Sequence, residues 1–281
     1  MKISAVSTCL AVHDLSCVGR CSLTAVIPVL AALGVQAIPL PTTLYSNHLG
    51  FAAQYRLEMT IQTAVMDAWD QNGIRIDSIY SGFLASPAQI GLVRDTIRRY
   101  GAEAKYIIVD PAMADHGALY KAYDDSMVLA MRRLITHADI LLPNWTEACM
   151  LAAIPYTAHP DPARVRSVAQ QLAADKRLVI ITSVPVRADL YANILHDGKT
   201  GDGTALEYPH LPLRTGGTGD LFAAAVTGLL LRGQAPADAL RRATDFVTAA
   251  VKRLAATQTD PRYGVPFECE LYRLLQEVHH D

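Results

Sequence analysis

The residues best suited to chemistry lie in one glycine-rich stretch, Thr215–Asp220, which reads TGGTGD. Three glycines within four residues let the backbone take positive φ angles and approach a ligand without a Cβ in the way. The apolar run 221–231 predicts a buried helix, so the stretch ends at a helix N-terminus, where unpaired N–H groups and the helix dipole attract phosphate. Asp220 places a carboxylate there, which would act as a base or help to hold a cation. The alternative is a glycine turn in which Asp220 only caps the helix.

Two further polar groups follow predicted strands. Asp110 and Asp115 come just after the predicted strand 106–109, and paired carboxylates can hold Mg²⁺ through its waters because this ion dehydrates reluctantly. Aspartates also cap ordinary turns, which is the alternative. Asn144 and Glu147 stand three residues apart on one face of a predicted helix start, where they could meet a metal-bound phosphate. A helix-capping pair is the alternative for these two residues.

Strand-like and helix-like segments alternate through most of the chain, which predicts an α/β fold with a mostly parallel central sheet and helices on both faces. Strands are predicted at 3–12, 35–39, 78–82, 106–109, 140–142 and 178–182, with a hairpin of 190–196 and 205–209. Helices are predicted at 22–33, 60–69, 86–100, 127–136, 220–232, 236–254 and near 268–278, with another opening at 161–162. No repeat or linker interrupts the pattern, so residues 1–281 are predicted to form a single domain.

In such sheets, ligands bind beyond the carboxyl ends of the strands. The polar residues of this chain fall at those ends: Asp14, Ser16, Asn47, Asp110, Asn144 and Thr182. The familiar nucleotide motifs are absent, because Gly198–Thr200 lacks the upstream glycine of a P-loop and the first strand–helix turn has only Gly19. If phosphate is bound, the stretch Gly217–Asp220 is therefore the expected place.

Composition excludes several classes of function. The formal net charge of -2 and the lack of a basic stripe argue against a nucleic-acid partner. No apolar run reaches the roughly 18 residues that a membrane helix needs. The five cysteines are scattered and without a C-x-x-C pair, which is typical of reduced thiols and predicts a cytoplasmic protein.

Four segments together resemble one family. Gly217–Asp220 is similar to the GTGD anion hole, and Asn144–Glu147 to the N-x-x-E motif, of the ribokinase-like superfamily. Asp110–Gly117 resembles the DPVMGD-x-G stretch of vitamin B6 kinases, and Thr42–Gly50 the substrate-side SVQFSNHTG of pyridoxal kinases. These motifs occur in family order between about residue 13 and residue 225. The resemblance implies a three-layer α/β/α pyridoxal kinase that uses ATP and Mg²⁺, and it allows a monovalent cation such as K⁺.

The sequence departs from the family pattern at two places. Ala112 and Ala114 replace the valine and glycine of the vitamin B6 kinase stretch. The opening loop His13–Arg20 lacks the usual Q-S-H of pyridoxal kinases and is closer to the S-D-x-S-G of hydroxymethylpyrimidine kinases. A hydroxymethylpyrimidine kinase is therefore the alternative enzyme. A nucleotide-binding regulator without catalytic activity is the alternative outside the enzymes, although the unbroken glycine stretch and Asp220 argue against it.

The resemblance also implies residue roles. Asp220 would take the proton from the primary hydroxyl of the substrate, while the N–H groups of Gly217, Thr218 and Gly219 stabilise the transferring phosphoryl group. The residues expected to hold Mg²⁺ and the nucleotide are Asp110, Asn144, Glu147 and Thr182, with Asp110 and Glu147 nearest the metal. The residues expected to form the substrate pocket are Asp14, Ser16, Thr42, Asn47 and Phe83. Phe83 is equally suited to the core, and His48 is suited to packing the loop.

The resemblance finally implies a homodimer. Small ribokinase-like kinases of this kind lack a separate lid domain, and no insertion between the predicted strands is long enough to form one. The loop Pro41–Phe51 is the expected cover of the bound ring, since its polar residues are flanked by apolar ones that could pack on a neighbour. Its alternative is an ordinary surface connection.

Overall fold

The computed structural model describes residues 6–121, 123–174, 176–257 and 259–275. Its strands are β1 (Thr8–Ser16), β2 (Gln36–Tyr45), β3 (Arg56–Glu58), β4 (Ser78–Ser81), β5 (Tyr106–Val109), β6 (Ala114–Asp115), β7 (Ala118–Leu119), β8 (Ile140–Leu141), β9 (Leu178–Arg187), β10 (Leu190–Asp197) and β11 (Gly203–Pro209). Within these ranges, nine strands form one sheet in the order β11-β10-β9-β8-β5-β4-β1-β2-β3, and β6 and β7 form a separate two-stranded ribbon.

The α-helices of the described ranges are α1 (Ser22–Ala32), α2 (Gln62–Gln71), α3 (Pro87–Tyr100), α4 (Asp125–Leu134), α5 (Trp145–Leu151), α6 (Pro162–Ala173), α7 (Thr218–Leu231), α8 (Pro236–Ala256) and α9 (Tyr272–Leu275). Their ends follow local rules. Ser86 caps α3 by accepting a hydrogen bond from the Gln89 backbone N–H, and Pro87 occupies the first helical position, where its missing N–H costs nothing.

The centre of the sheet is parallel and its edges are antiparallel. Strands β2, β1, β4, β5, β8 and β9 pair in parallel, whereas β3 at one edge and β10 and β11 at the other are antiparallel to their neighbours. Parallel strands need both faces covered, and β1 shows this directly. Cys9 and Ala11 belong to one buried cluster, whereas the alternating Leu10 and Val12 belong to the other.

The two clusters define the outer layers. Helices α1, α7 and α8 pack on one face of the sheet, where Gly228 of α7 lets the Leu33 side chain approach closely. Helices α3, α4, α5 and α6 pack on the opposite face. The predicted three-layer α/β fold with a mostly parallel sheet is confirmed.

Several strands extend beyond their predicted ends; β9, for example, runs over Leu178–Arg187 rather than 178–182. The first strand is Thr8–Ser16 rather than 3–12, so His13 and Asp14 belong to the sheet; residues 1–5 lie outside the described ranges. The second strand runs over Gln36–Tyr45 rather than 35–39, so the first half of the expected loop Pro41–Phe51 is strand. Pro39 and Pro41 lie inside this strand, with β1 in register along one side, whereas β3 pairs on the other side only with residues 43–45.

The C-terminal segment also differs from its predicted form. In place of a continuous helix near 268–278, the described residues contain a 3-10 helix at Phe267–Glu270 followed by the short α9. Residues 276–281, where the rest of that helix was expected, lie outside the described ranges.

Candidate active site

Two adjoining cavities open at the carboxyl edge of the sheet. The larger has a volume of about 820 Å³ and the smaller about 430 Å³. They share the first residues of α7 and the strand ends beside it: Asp115, Asn144, Thr182, Ser183, Arg214, Thr215, Thr218, Gly219 and Phe222. The N-terminus of α7 therefore stands between two spaces, each large enough for a small molecule.

The glycine stretch forms this N-terminus. Gly217 is the N-cap of α7 with φ +84°, and a Cβ there would clash with the carbonyl oxygen of Arg20, so only glycine fits the position. Gly219 is different, because a Cβ on it would meet no atom within 4 Å and would point into open space. The first N–H groups of a helix have no intrahelical acceptor, so those of α7 are available to an anion.

Asp220 is fixed by two hydrogen-bond donors. Its Oδ2 accepts from the Ser22 backbone N–H at 2.7 Å, and Ser22 has the left-handed φ of 54°. Its Oδ1 lies 3.1 Å from Nε2 of His13. Burial raises the pKa of Asp220, but the His13 hydrogen bond and charge and the Ser22 N–H outweigh it and lower the pKa below its usual range. Asp220 is therefore an ionised, oriented carboxylate at neutral pH.

His13 is a site residue that the sequence analysis did not single out. Its imidazole is completely buried between Asp14 and Asp220, with Nδ1 2.9 Å from Asp14 Oδ1. Burial alone would lower the pKa of His13, but the hydrogen bonds to Asp14 and Asp220 raise it to about 10. The available signal was the pair His13-Asp14 at a strand end, which was obscured because the strand was predicted to stop at Val12.

Three of the five predicted substrate residues line the larger cavity, namely Asp14, Ser16 and Phe83. The Ser16 hydroxyl donates to Asp14 Oδ2 at 3.2 Å, which orients the carboxylate. Phe83 joins an aromatic group with Tyr120 and Tyr123, whose ring centroids lie 6.5 and 5.8 Å from its own. These rings add apolar surface to a cavity that also contains the polar Asp14 and Ser16, as a heteroaromatic substrate would need.

Thr42 and Asn47 lie behind this surface and are not among the cavity-lining residues. Thr42 is buried within β2, and the Asn47 amide donates to the backbone carbonyls of His48 and Ala53. Their assignment as substrate contacts stays a prediction. His48 does line the cavity, where its ring packs so closely on Gly216 that a Cβ there would clash with it.

Asn144 and Glu147 form a capping box at the start of α5, so these two side chains have the geometry of the helix-capping alternative. The Glu147 backbone N–H donates to the Asn144 side chain at 2.9 Å, and the Asn144 backbone N–H donates to Glu147 Oε2 at 2.8 Å. Glu147 Oε1 also accepts from the Met113 N–H at 2.9 Å. Glu147 therefore ties the segment after β5 to α5, while Asn144 and Thr182, which are bridged by parallel pairing, line both cavities.

Residues 21–264 match the family model described as phosphomethylpyrimidine kinase. The chain belongs to the phosphomethylpyrimidine kinase family. The matched residues include α1, the capping box and the whole glycine stretch, so family membership and the cavity geometry concern the same part of the molecule.

Several similar proteins carry vitamin B6 names or a vitamin B6 ligand. The pyridoxine/pyridoxal/pyridoxamine kinase of Bordetella pertussis is 30% identical over 257 residues, which are 84% of this chain and 85% of the relative. A crystal structure from Bacteroides thetaiotaomicron, in an orthorhombic form with pyridoxal and of a protein proposed to be a phosphomethylpyrimidine kinase, has a TM-score of 0.92 at 36% identity and covers 96% of each chain. Pyridoxal kinase from Lactobacillus plantarum has a TM-score of 0.88 at 33% identity and covers 99% of this chain and 100% of its own. The predicted membership among pyridoxal kinases of the ribokinase-like superfamily is confirmed.

The acidic residues of this family member suit a divalent cation that binds through phosphate and water. Burial and then the neighbouring Asp220 raise the pKa of Asp110 to about 7, and burial and then Asp110 raise the pKa of Glu147. Buried like charges of this kind are relieved by a cation. No cluster of three or more metal-ligating side chains occurs in the described ranges. Such a site fits Mg²⁺, which usually keeps several waters and takes one or two carboxylates together with phosphate oxygens.

The smaller cavity of this kinase-family chain has a flat wall. Tyr191 and His210 stack with ring centroids 3.9 Å apart and planes 7° from parallel. Val247 and Val251 of α8 add apolar surface to this cavity. A flat ring wall with an apolar floor is suited to a planar base.

None of the helices in the described ranges is long and apolar enough to cross a membrane.

Proposed function

We propose that this chain is an ATP-dependent kinase that phosphorylates the primary 5'-hydroxyl of pyridoxal, pyridoxine or pyridoxamine. One observation carries the proposal: an ionised carboxylate, Asp220, stands at the free N-terminus of α7, where two cavities meet. A phosphoryl group must pass between a donor and an acceptor in line, with charge stabilisation at the transfer point. The position of α7 between the cavities provides that arrangement.

Different residues of the site carry out different parts of the reaction. The vitamin would occupy the larger cavity, with its ring between Phe83 and the polar group of Asp14 and Ser16, and the nucleotide the smaller one. Asp220 accepts the proton of the attacking hydroxyl, and the N–H groups of Gly217, Thr218 and Gly219 bind the oxygens of the transferring group. Mg²⁺, held through Asp110 and the segment that Glu147 anchors, would neutralise phosphate charge when it is bound.

The relatives support this choice of substrate. The Bordetella pertussis relative is named for all three vitamin B6 forms, and the Bacteroides thetaiotaomicron neighbour was crystallised with pyridoxal. The aromatic group of Phe83, Tyr120 and Tyr123 in the present chain is compatible with a pyridine ring. Rings of this kind commonly pack in an offset or tilted manner on aromatic side chains.

A hydroxymethylpyrimidine kinase is the second candidate. The family model carries the phosphomethylpyrimidine kinase description, and the opening loop with Asp14 and Ser16 resembles that enzyme class. The segment Ser46–His48 favours vitamin B6. A catalytically silent regulator is the third alternative, and the ionised Asp220 speaks against it because a regulator has no need of a base at the phosphate site.

A substrate panel distinguishes these candidates. Steady-state phosphorylation by the purified chain should be measured with ATP and Mg²⁺ on pyridoxal, pyridoxine, pyridoxamine and hydroxymethylpyrimidine. We expect at least one vitamin B6 form to have the highest kcat/KM, and removal of Mg²⁺ by a chelator to abolish turnover. Preference for hydroxymethylpyrimidine would favour the second candidate, and turnover of none of the four with ATP intact would favour the regulator. A parallel titration with K⁺ and Na⁺ tests the monovalent cation.

We also infer that the chain forms a homodimer through the β2–β3 edge of the sheet. Strand β3 is exposed along its length, and apolar side chains flank it, with 65% of Tyr55, 49% of Leu57 and 51% of Ile61 accessible. An exposed, apolar sheet edge is a surface that proteins normally cover. The segment 46–51 beside it borders the substrate cavity through His48, so a neighbouring copy would help to close that cavity and exclude water.

Light scattering tests the dimer. We expect a mass about twice the 30.5 kDa chain at micromolar concentration, and Leu57→Glu should shift it toward the single chain because a charge at the edge opposes association. Leu129→Glu on α4, where the leucine is 55% exposed on another surface, is the matched control. A single-chain mass for the unmodified protein would reject the dimer.

The predicted substrate roles of Thr42 and Asn47 are tested separately by the variants Thr42→Ala and Asn47→Ala. An unchanged KM for every vitamin B6 form in these variants would reject those roles.

A further inference from the structure

The His13 ring fills a space that the neighbouring backbone leaves open. It lies at the carboxyl end of β1, where the pairing register with β2 shifts between His13 and Leu15. Gly82 follows β4 directly beside it, and a Cβ at that position would overlap the imidazole ring. Because a buried imidazole is costly unless its polar atoms are satisfied, the contacts of its two nitrogens determine its role.

Each ring nitrogen faces a carboxylate oxygen. Nδ1 lies 2.9 Å from Asp14 Oδ1, and Nε2 lies 3.1 Å from Asp220 Oδ1. A neutral imidazole has one N–H and can donate to only one of them, whereas an imidazolium donates to both. The backbone N–H groups of Asp14 and Phe83 also approach the ring, at 2.9 and 3.4 Å, and would be the partners of a neutral ring nitrogen.

The surrounding charges decide between these two states. Asp14 and Asp220 both favour the charged ring, and Asp110 also interacts with it electrostatically. Tyr80 packs edge-on with its ring centroid 6.1 Å away, and burial raises its pKa, so it stays a neutral phenol. A ring among three carboxylates, two of them in hydrogen-bonding contact, is most stable as a cation.

Resting on the kinase activity proposed above, we propose that His13 is a positioning residue for phosphoryl transfer: its imidazolium clamps Asp220 to Asp14 and keeps the base oriented and ionised. His13 is not among the residues that line the cavities, so it acts through Asp220 rather than on the substrate. With the Ser22 N–H on Oδ2 and His13 on Oδ1, both carboxylate oxygens of Asp220 have a donor, which defines the plane of the carboxylate.

Two polar replacements separate the two halves of the clamp. The amide nitrogen of glutamine can take the place of Nε2 and donate to Asp220, whereas the shorter asparagine can take the place of Nδ1 and donate only to Asp14. We expect His13→Asn to lower kcat by roughly 10- to 100-fold, the effect of a lost hydrogen bond to a charged group, and His13→Gln to lower it less. The KM for ATP should not change in either variant. His159→Gln, at an exposed position, is the control.

The pH profile gives a readout that simple packing would not move. His13 lowers the pKa of Asp220, so without the imidazolium the base becomes protonated at a higher pH. The acid limb of kcat/KM should therefore move upward by roughly one to two pH units in both variants. The proposal would be overturned if the acid limb of the pH profile did not move and the two variants had equal kcat. It would also be overturned if kcat fell equally in both variants and thermal unfolding showed that the fall came from a loss of folded protein.

An NMR measurement tests the clamp without relying on turnover. In protein labelled with ¹⁵N-histidine, the His13 ring signals are identified by their loss in His13→Gln, and we expect both nitrogens to carry protons at pH 8. In Asp220→Asn the same ring should lose a proton at a lower pH. A ring that is neutral at pH 8 in the unmodified protein would reject the clamp. If the clamp is present but no vitamin B6 form is phosphorylated, the proposed function fails, and the positioning role, which rests on it, fails with it.

Discussion

Replacing Asp220 by asparagine is expected to lower kcat by roughly 10²- to 10⁴-fold, the range for a lost general base, while nucleotide binding stays nearly intact. The reason is geometric. The carboxylate lies at the N-terminus of α7 and lines the larger cavity, where its oxygens can reach the hydroxyl of a substrate bound there. Asparagine keeps an oxygen that can accept from the Ser22 N–H, so the local backbone is retained, but its amide cannot accept a proton at neutral pH.

The measurement combines steady-state kinetics with nucleotide titration and thermal unfolding. Asp95→Asn is the matched control, because Asp95 is exposed and pairs with Arg98 on the surface. The prediction needs a folded variant that binds nucleotide with ordinary affinity. Turnover close to that of the unmodified protein would show that another group takes the proton.

A larger side chain at Gly219 is expected to abolish most of the activity without harming the fold. A Cβ at Gly219 meets no atom within 4 Å, so valine fits the helix, yet its methyl groups extend into the junction of the cavities, where phosphate must approach the N–H groups. We expect Gly219→Val to lower kcat/KM by roughly 100-fold or more, comparable to the loss of a strong oxyanion donor. Gly91→Val is the matched control, since Gly91 lies in α3 and also has open space around its Cβ position.

The neighbouring Gly217 should behave in the opposite way. Alanine there must take a φ of +84° and would collide with the Arg20 carbonyl oxygen. The backbone conformation alone costs roughly 1–3 kcal/mol, so the free energy of unfolding in urea should fall by at least that amount in Gly217→Ala. If Gly219→Val instead lost stability while Gly217→Ala lost only activity, the phosphate site would have to lie on another part of the stretch.

Local patterns in the sequence determined much of this molecule. The alternation of short apolar strands with helical segments predicted the parallel sheet, and the helix predicted at 86–100 is α3, which begins at Pro87 with Ser86 as its cap. The stretch Thr215–Asp220 predicted a helix N-terminus with an acidic first turn, which is what α7 has. These features were readable because caps, glycine turns and side-chain periodicity depend on residues a few positions apart.

Tertiary structure alone decided how the distant parts meet. His13 reaches Asp220 across 207 positions of the sequence, and there is space for its ring because Gly82, directly after the neighbouring strand β4, has no side chain. The folded sheet likewise decided that Asp14, Ser16 and Phe83, but not Thr42 and Asn47, line the larger cavity. Neither outcome has a local signal, because both depend on which strand ends and helix starts become neighbours in the folded chain. The sequence by itself thus predicted most of the elements and the place of Asp220 at a helix start, whereas the folded sheet determined that His13 is the partner of this carboxylate.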